Sequence, residues 1–446
     1  MNNLIEKICL ISLGCPKNLV DSEVMLGILE EEGYHLTASE DDADVLIVNT
    51  CGFIGDAKEE SIDEILRLAE YKKNGRCRLL IVTGCLTQRY KDELANELPE
   101  VDYFIGTGEY FRIAEIIKKG AENKVIVDKP LYVHDYTTPR ILATPRYSAY
   151  VKVAEGCSNH CSYCTIPMIR GEFRSRTATS IVKEVENLAG QGVKEINLIA
   201  QDITSFGRDT KDSKKLEDLL KELANVAGIE WIRLLYLYPG RITDSLLKLI
   251  KDEEKICKYI DVPVQHINNR ILKAMNRTAT RNEIEILIKK IRQEITDVVL
   301  RTSLIVGFPG ETEKEFNELL DFVKEVEFDR LGVFKYSREE GTPAYNMKGQ
   351  VSETIKNRRM RKIMTIQKKI TLEKNRSLLG SSVRVLVEGV SEETDLLLKG
   401  RAVSQATDVD GVTYINRGNA DAGAIVDVRI TAAGAYDLVG EIEEEQ

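Results

Sequence analysis

The stretch YVKVAEGCSNHCSYCTIP, residues 150–167, decides the fold of the central part of this chain. It starts as an apolar strand and ends in a loop that carries Cys157, Cys161 and Cys164 with the spacing C-x3-C-x2-C. In a long chain whose thiols are kept reduced, clustered cysteines are more often ligands than disulfides. The loop therefore predicts one metal site, and soft thiolates suit an iron–sulfur cluster, zinc or copper(I).

The number of thiolates in this loop narrows the choice of metal. Structural zinc is usually closed by four ligands, so zinc remains an alternative only if His160 supplies the fourth. A cube-shaped 4Fe–4S cluster held by three thiolates instead leaves one iron open to bind and activate a small molecule. Tyr163, next to the last cysteine of the loop, is then expected to lie close to that molecule.

The residues around this loop predict a barrel. Six strand-like segments alternate with helical segments, which is typical of a partial (βα)6 TIM-like barrel, placed at residues 143–374. Such barrels carry their active site at the carboxyl ends of the strands, where polar and special residues cluster here. The predicted strands are YVKVAEGC, EINLIAQD, WIRLLYLYP, YIDVPVQH, VLRTSLIVGFPGE and DRLGVFKYS.

Residues 1–135 predict an N-terminal, flavodoxin-like domain with a parallel sheet, because continuous apolar strands alternate with amphipathic helices. Cys15, Cys51 and Cys85 each follow one of three apolar strands. The carboxyl ends of parallel strands meet at one sheet edge, so these thiols are predicted to form a second site there. The alternative is three unrelated core cysteines, which is the interpretation preferred for the remaining ones, Cys9, Cys77 and Cys257.

The rest of the chain adds a linker and a third domain. Residues 128–146 hold three prolines and predict a linker. Residues 356–376 contain nine Lys or Arg and one Glu, which predicts a solvated connecting helix or, alternatively, a contact to phosphate or an acidic partner. Residues 376–446 show short β patterns with Gly and Asp-Gly turns, which predict a small all-β barrel.

Composition limits the class of protein. The chain has 446 residues, is 43% hydrophobic and carries a net charge of −10. Its length predicts two or three folded α/β and β domains, and its acidity argues against a general nucleic-acid binder. It shows neither an apolar run near the roughly 20 residues that span a bilayer nor a basic leader, so we expect a cytoplasmic protein without membrane contact.

The run GCSNHCSYCTIPMIRGEFRSR, residues 156–176, resembles the signature loop of methylthiotransferases within the radical S-adenosylmethionine superfamily. The dispersed cysteines and the C-terminal β domain, called TRAM in that family, extend the resemblance over nearly the whole chain. It implies a 4Fe–4S cluster on the compact cysteines that binds S-adenosylmethionine. It also implies an auxiliary 4Fe–4S cluster on Cys15, Cys51 and Cys85 that carries the sulfur, and a one-electron donor such as a reduced flavodoxin.

Two branches of that family compete. One modifies adenosine derivatives in tRNA, and the other, RimO-type branch modifies an aspartate of ribosomal protein S12. SLGCPKNLVDSE (residues 12–23), LIAQDIT (198–204) and YSREEGTPA (336–344) resemble the second branch. The tRNA branch usually has Gln-Met-Asn where this chain has Pro16-Lys17-Asn18.

The charge of the C-terminal domain favours the same branch. Residues 376–446 contain six Lys or Arg and thirteen Asp or Glu, a net charge of −7. A domain that grips RNA phosphates should be basic, whereas an acidic one complements a basic ribosomal protein. We therefore expect S12, free or in the small subunit, as the partner, and direct RNA contact is not favoured. Acidity that merely aids solubility is the alternative.

Further residues are candidates for the nucleotide. Ala200-Gln201-Asp202 stands where many members of the superfamily have Gly-Gly-Glu, which makes Gln201 the candidate for the amino group. Gly307, after the fifth barrel strand, suits contact with adenine or ribose or is a plain turn. Arg174 or Arg176 suits the carboxylate, or forms an ion pair. His266 is expected to be a structural histidine.

The alternative functions at this stage are a tRNA methylthiotransferase and, outside enzymes, an iron–sulfur electron carrier or structural metalloprotein. A carrier does not explain a barrel whose cluster has only three ligands. A methylthiotransferase that acts on S12 is therefore the function that the sequence favours.

Overall fold

The computed structural model describes residues 6–211 and 214–443, and it forms an α/β chain of two parallel-sheet units and one closed β-barrel. The first unit is a six-stranded sheet in the order β2-β1-β3-β4-β5-β6 with every pairing parallel. Every residue of its central strand β3 is buried, because helices cover both faces. Its elements are β1 (Lys7–Ser12), α1 (Pro16–Glu31), β2 (His35–Leu36), β3 (Val45–Thr50), α2 (Gly55–Asn74), β4 (Leu79–Gly84), α3 (Cys85–Glu97), β5 (Tyr103–Ile105), α4 (Ile113–Lys119) and β6 (Val125–Ile126).

The predicted linker is packed tightly against α1. A Cβ on Gly27 of that helix would lie 2.4 Å from the backbone of Pro139 and Arg140, so only glycine fits there. Glu23 accepts the backbone N–H of Ala143 at 2.8 Å through its side chain and pairs with Arg140 at 2.6 Å. The linker therefore fixes the first unit against the second.

The second unit is a six-stranded parallel sheet in the order β14-β13-β12-β11-β10-β7, which confirms the six predicted barrel strands. A two-stranded hairpin, β8 with β9, follows the first strand and was not predicted. The elements are β7 (Ser148–Lys152), β8 (Ala154–Glu155), α5 (Ile166–Arg170), β9 (Arg174–Ser175), α6 (Ala178–Gly190), β10 (Glu195–Ile199), α7 (Leu216–Ala224), β11 (Trp231–Leu234), α8 (Asp244–Asp252), β12 (Ile256–Asp261), α9 (Asn269–Ala274), α10 (Arg281–Glu294), β13 (Val299–Val306), α11 (Glu313–Val326), β14 (Arg330–Lys335) and α12 (Glu353–Arg376).

Helix α12 is less solvated than its basic sequence predicts. Its Lys356 is buried and donates to the carbonyl of Tyr336 at 2.7 Å, and its buried Arg359 pairs with Glu311 at 3.2 Å. The first turns of this helix therefore close the side of the barrel, while Arg358 remains exposed.

The third unit is a closed barrel in the order β15-β16-β17-β19-β18. It contacts Glu195 and Arg330, the first residues of β10 and β14, and so lies at the amino-terminal end of the central sheet. Arg401 reaches Glu195 at 2.5 Å, and Arg233 lies 3.1 Å from the same carboxylate. Burial raises the pKa of Glu195, but Arg401 and Arg233 outweigh it and lower the pKa to about 2. The strands are β15 (Ser382–Val390), β16 (Leu398–Ala402), β17 (Thr413–Arg417), β18 (Ile425–Ala433) and β19 (Leu438–Ile442).

The cysteines without a predicted role are core residues, as expected. Cys9, Cys77 and Cys257 are 4%, 6% and 2% exposed and lie in apolar clusters. Of the helices that the structure describes, none combines the length and the apolar character that crossing a membrane requires.

Candidate active site

The compact cysteine loop follows β7 and β8 and is shaped by backbone that few side chains tolerate. Gly156 has φ +72, and a Cβ there would lie 2.1 Å from the carbonyl oxygen of Glu172. The N–H of Cys157 donates to the carbonyl of Gly171 at 3.0 Å, and that of Cys164 donates to the carbonyl of Cys161 at 3.0 Å. The loop therefore folds back on itself with its thiols on one short turn.

The barrel holds this loop from the opposite side. Ser162 donates through its N–H to the carbonyl of Met275 at 3.0 Å and through its hydroxyl to that of Ala274 at 2.7 Å. The side-chain amide of Asn276 donates to the carbonyl of His160 at 2.8 Å. These contacts fix the loop against the end of α9 without using a cysteine.

One cation lies beside the compact thiols. Nη1 of Arg277 is 3.9 Å from Sγ of Cys161, while its Nη2 donates to the carbonyl of Pro263 at 2.6 Å. Its guanidinium also stacks 4.2 Å from the ring centroid of Tyr238. Burial first, and the neighbouring Cys161 second, raise the pKa of Cys164, so a ligand-free thiol there is protonated at neutral pH.

The dispersed cysteines lie at the carboxyl edge of the first sheet, as predicted. Cys15 caps the start of α1, Cys51 follows β3 and Cys85 opens α3 after β4. Glycines let their loops touch: a Cβ on Gly14 would lie 2.9 Å from Cβ of Cys51, and one on Gly52 would lie 2.8 Å from the backbone of Cys85. Burial and the thiols of Cys85 and Cys15 raise the pKa of Cys51 to about 12.

Asn18 joins these loops. Its side-chain amide donates to the carbonyl of Thr50 at 2.8 Å and to that of Leu13 at 3.1 Å. Its Oδ1 accepts the thiol of Cys85 at 3.4 Å. Nothing in the local sequence marks Asn18 for this role, because its partners Leu13, Thr50 and Cys85 lie at the ends of separate strands.

Arg170 reaches from the segment after the compact loop to the dispersed cysteines. It closes α5, six residues after Cys164, and its guanidinium lies 3.6 Å from Sγ of Cys85 in the other unit. It also pairs with Asp21 at 2.8 Å and with Glu155 at 3.3 Å, and both acids contact Lys152 as well. Burial raises the pKa of Cys85, and the charge of Arg170 opposes that shift. The carboxyl edge of the first sheet therefore faces the mouth of the barrel.

Each set offers three cysteine side chains, and soft thiolate donors suit an iron–sulfur cluster. All six thiols are free, and within residues 6–211 and 214–443 no three Cys, His, Asp or Glu side chains are placed to hold one metal ion. His160, the fourth ligand of the zinc alternative, is exposed. In a cubane cluster each thiolate binds a different iron, so its ligands need not converge on one point.

The other candidates lie in different places: Gln201 and Gly307 follow strands of the barrel, whereas Arg174 and Arg176 lie in and just after the β8–β9 pair. Gln201 lies half-buried just after β10, and Gly307 follows β13 with φ +74. Arg174 is in the β8–β9 hairpin, where its guanidinium donates to the carbonyls of Glu172 at 2.6 Å and Arg170 at 3.2 Å. Arg176 pairs with Glu184 inside the barrel wall.

His266 is a buried structural histidine. Its Nδ1 accepts the N–H of Ile267 at 2.9 Å and that of Asn268 at 3.0 Å, which only the neutral ring can do. Burial lowers the pKa of His266 to about 3, in agreement with that geometry.

Comparison with known families covers all three units. Residues 7–106 match the family described as "Uncharacterized protein family UPF0004", residues 151–323 match the radical SAM superfamily, and residues 379–442 match the TRAM domain. Among solved structures, the radical S-adenosylmethionine methyltransferase TsrM from Kitasatospora setae is similar at a TM-score of 0.55. That match has 15% identity and covers 82% of this chain and 89% of that one, and it supports the fold alone.

Relatives with a stated activity are similar over their whole length. The ribosomal protein uS12 methylthiotransferase RimO of Geobacter sulfurreducens is 57% identical, over 99% of this chain and 100% of the relative. The protein with the same name from Desulforamulus reducens is 51% identical, again over 99% of this chain and 100% of the relative.

Proposed function

This chain belongs to the RimO family of ribosomal protein uS12 methylthiotransferases, and from that premise we propose how its two cysteine sets divide the work. Cys157, Cys161 and Cys164 are proposed to bind the 4Fe–4S cluster of the radical S-adenosylmethionine reaction. The dispersed set, Cys15, Cys51 and Cys85, is proposed to bind an auxiliary 4Fe–4S cluster. When bound, the first supplies an open iron and an electron for cleavage of S-adenosylmethionine, and the second supplies an iron for the sulfur to be transferred.

The observation that supports this proposal is the contact between Arg170, six residues after the compact set, and Cys85 of the dispersed set. Arg170 ends the helix α5, which follows the compact loop, and reaches Cys85 at 3.6 Å, so the segment next to the compact loop lies beside the dispersed set at the seam, the contact between the first and second units. A substrate side chain in that seam meets the hydrogen-abstracting and the sulfur-donating centres without moving between them. Proximity of this kind replaces a bimolecular encounter by a positioned one.

The protein's own residues have three tasks in this scheme. Asn18 and the glycines beside the dispersed thiols hold three loops in one arrangement. Arg277 and Arg170 place one positive charge beside each set, which stabilises thiolate ligands over thiols. Tyr163, Gln201 and Gly307 are proposed to line the nucleotide, whereas Arg174 would have to exchange its carbonyl contacts for the carboxylate.

The substrate atom is proposed to be the β-carbon of an aspartate in uS12, which receives the methylthio group. A one-electron donor such as a reduced flavodoxin is proposed to supply electrons in the cytoplasm. The domain limits are proposed as residues 1–135, 143–374 and 376–446. The tRNA and electron-carrier alternatives are set aside because relatives over 50% identical across the whole chain are uS12 enzymes.

A deletion strain tests the substrate. Intact-mass and peptide measurements of uS12 should show the methylthio group absent, and it should return with the wild-type gene. Hydrolysed tRNA from the same cells is the matched control and should keep its methylthio-adenosine. Missing tRNA modification with normal uS12 would contradict the proposal.

A further inference from the structure

Lys17 is a buried cation without an acidic partner. It lies in the first turn of α1, two residues after Cys15, and is only 5% exposed. Among the residues that the structure describes, its Nζ makes no hydrogen bond or ion pair; its contact is the ring of Tyr236, whose centroid is 3.3 Å away. A buried ammonium normally requires a counter-charge, and a cation–π contact of about 2 kcal/mol replaces it only in part.

The neighbouring cations differ from Lys17 in this respect. Arg170 pairs with Asp21 and Glu155, and Lys152 contacts the same two acids. Arg140, on the linker, pairs with Glu23 at 2.6 Å and with Glu184 at 2.5 Å. Among the described residues, the neighbouring acids are thus paired with Arg140, Lys152 and Arg170, and none of them pairs with Lys17, whose ammonium is left for an anion from outside.

The position of Lys17 points to the mouth of the barrel. Tyr236 follows β11 at its carboxyl end and has φ +66, an uncommon conformation that turns its ring toward α1. Lys17 comes from the unit with the dispersed thiols and Tyr236 from the unit with the compact ones. The amino-terminal end of α1, a helix of 16 residues, adds positive potential at the same place.

We propose that Lys17 binds the side-chain carboxylate of the aspartate that is modified in uS12. This inference rests on the proposed function, because it assumes that an aspartate side chain enters the seam. The β-carbon is bonded directly to the carboxylate carbon, so a held carboxylate fixes the C–H bond between the two thiol sets. Lys17 then determines specificity by charge, since a neutral side chain of the same shape cannot pair with it.

The test compares two enzymes and two substrates. Lys17→Met keeps an unbranched side chain one atom shorter than lysine, removes the charge and leaves no acid unpaired, so the variant should fold. The substrates are uS12 with aspartate or with asparagine at the target position. Wild type should bind the asparagine form on the order of 100-fold more weakly, and Lys17→Met should lose that preference and on the order of 100-fold in kcat/KM for aspartate, mostly as a higher KM.

Binding of labelled uS12, measured by fluorescence anisotropy, provides a readout apart from turnover. Lys183→Met is the matched control, because Lys183 also stacks on a tyrosine ring, 4.4 Å from the centroid of Tyr136, but outside the seam. It should behave as wild type, and Lys17→Arg should recover much of the preference. Reductive cleavage of S-adenosylmethionine should survive in every variant.

Two results separate the inference from its premise. If wild type modifies uS12 but binds the aspartate and asparagine forms equally, or if Lys17→Met keeps the preference, the role of Lys17 is wrong and the proposed function stands. If wild type transfers no methylthio group to uS12, the proposed function itself fails. Comparing the two uS12 substrates on the wild-type enzyme needs no enzyme variant, so the proposal stays testable even if Lys17→Met is unstable.

Discussion

The two sets of three cysteines are held in place by different kinds of structure. Cys157, Cys161 and Cys164 share one loop whose backbone bonds to itself and to α9. Cys15, Cys51 and Cys85 come from three strand ends, and Asn18 and close glycine contacts bring them together. The first set depends on local sequence, and the second depends on the whole sheet being correctly paired.

The difference extends to the charge beside each set. Arg277 contacts the compact set at Cys161 and is held by a carbonyl and an aromatic ring of its own unit. Arg170 contacts the dispersed set at Cys85 from the other unit and is held by two carboxylates. The compact site is therefore self-contained, whereas the dispersed site is complete only when the units are docked.

Replacing each set by alanine should have the largest effect and should separate the two tasks. With Cys157, Cys161 and Cys164 changed, reductive cleavage of S-adenosylmethionine should fall below detection. With Cys15, Cys51 and Cys85 changed, cleavage should continue while methylthio transfer is lost. Anaerobically purified protein should lose about four of about eight irons in either case. Sulfur transfer by the second variant would show that Cys15, Cys51 and Cys85 do not hold the sulfur that is transferred.

Removing the adjacent cation should distinguish the two sites by stability. Arg170→Met leaves Asp21 and Glu155 short of a counter-charge and should cost about 3–5 kcal/mol in the free energy of unfolding. Arg277→Met removes no carboxylate partner and should cost about 1–3 kcal/mol. Urea unfolding followed by fluorescence of Trp231, the chain's one tryptophan, measures both on the same barrel. A larger loss in the free energy of unfolding for Arg277→Met than for Arg170→Met would contradict the expected difference between the two sites.

Acid should destabilise the protein through His266, near the compact site. This effect should be smaller than those of the arginine variants. Its segment also carries the Pro263 carbonyl that holds Arg277. Because burial lowers the pKa of His266 from 6.5 to about 3, the unfolded chain takes up a proton first as the pH falls. Stability is therefore full above pH 6.5 and should drop by about 2 kcal/mol between pH 7 and pH 5. Urea midpoints of His266→Asn, which keeps an acceptor but does not titrate, should depend less on pH; an equal dependence would contradict this account.

The sequence predicted the units and the place of each cysteine because both follow from local patterns. Apolar strands alternating with helices predict parallel sheets, and residues that follow those strands must lie at one edge. The compact spacing predicted its loop for the same reason. The closed β-barrel at residues 382–442 likewise agrees with the prediction of a small all-β barrel, whereas its strand order was not predicted.

The side chains that bridge the units could not be predicted. Arg170 is one arginine of a basic run in the sequence, and nothing local distinguishes it from Arg174, which turns back onto its own hairpin. In the sequence, Lys17 served only to distinguish the RimO-type branch from the tRNA branch of the family. Its lack of an acid becomes visible when the neighbouring carboxylates are seen to be occupied by other cations. Such pairings depend on how the two units dock against each other, and the periodicity of a sequence does not predict that.

The ion pairs between the central sheet and the C-terminal barrel form late during synthesis of the chain. Glu195 and Arg233 are synthesised in the middle of the protein, but Arg401 joins them only after some two hundred further residues. During translation, Glu195 in the central sheet therefore lacks one of its two arginine partners until the last domain has been synthesised. A chain that ends before Arg401 therefore leaves Glu195, at the amino-terminal end of the central sheet, with Arg233 as its remaining arginine partner.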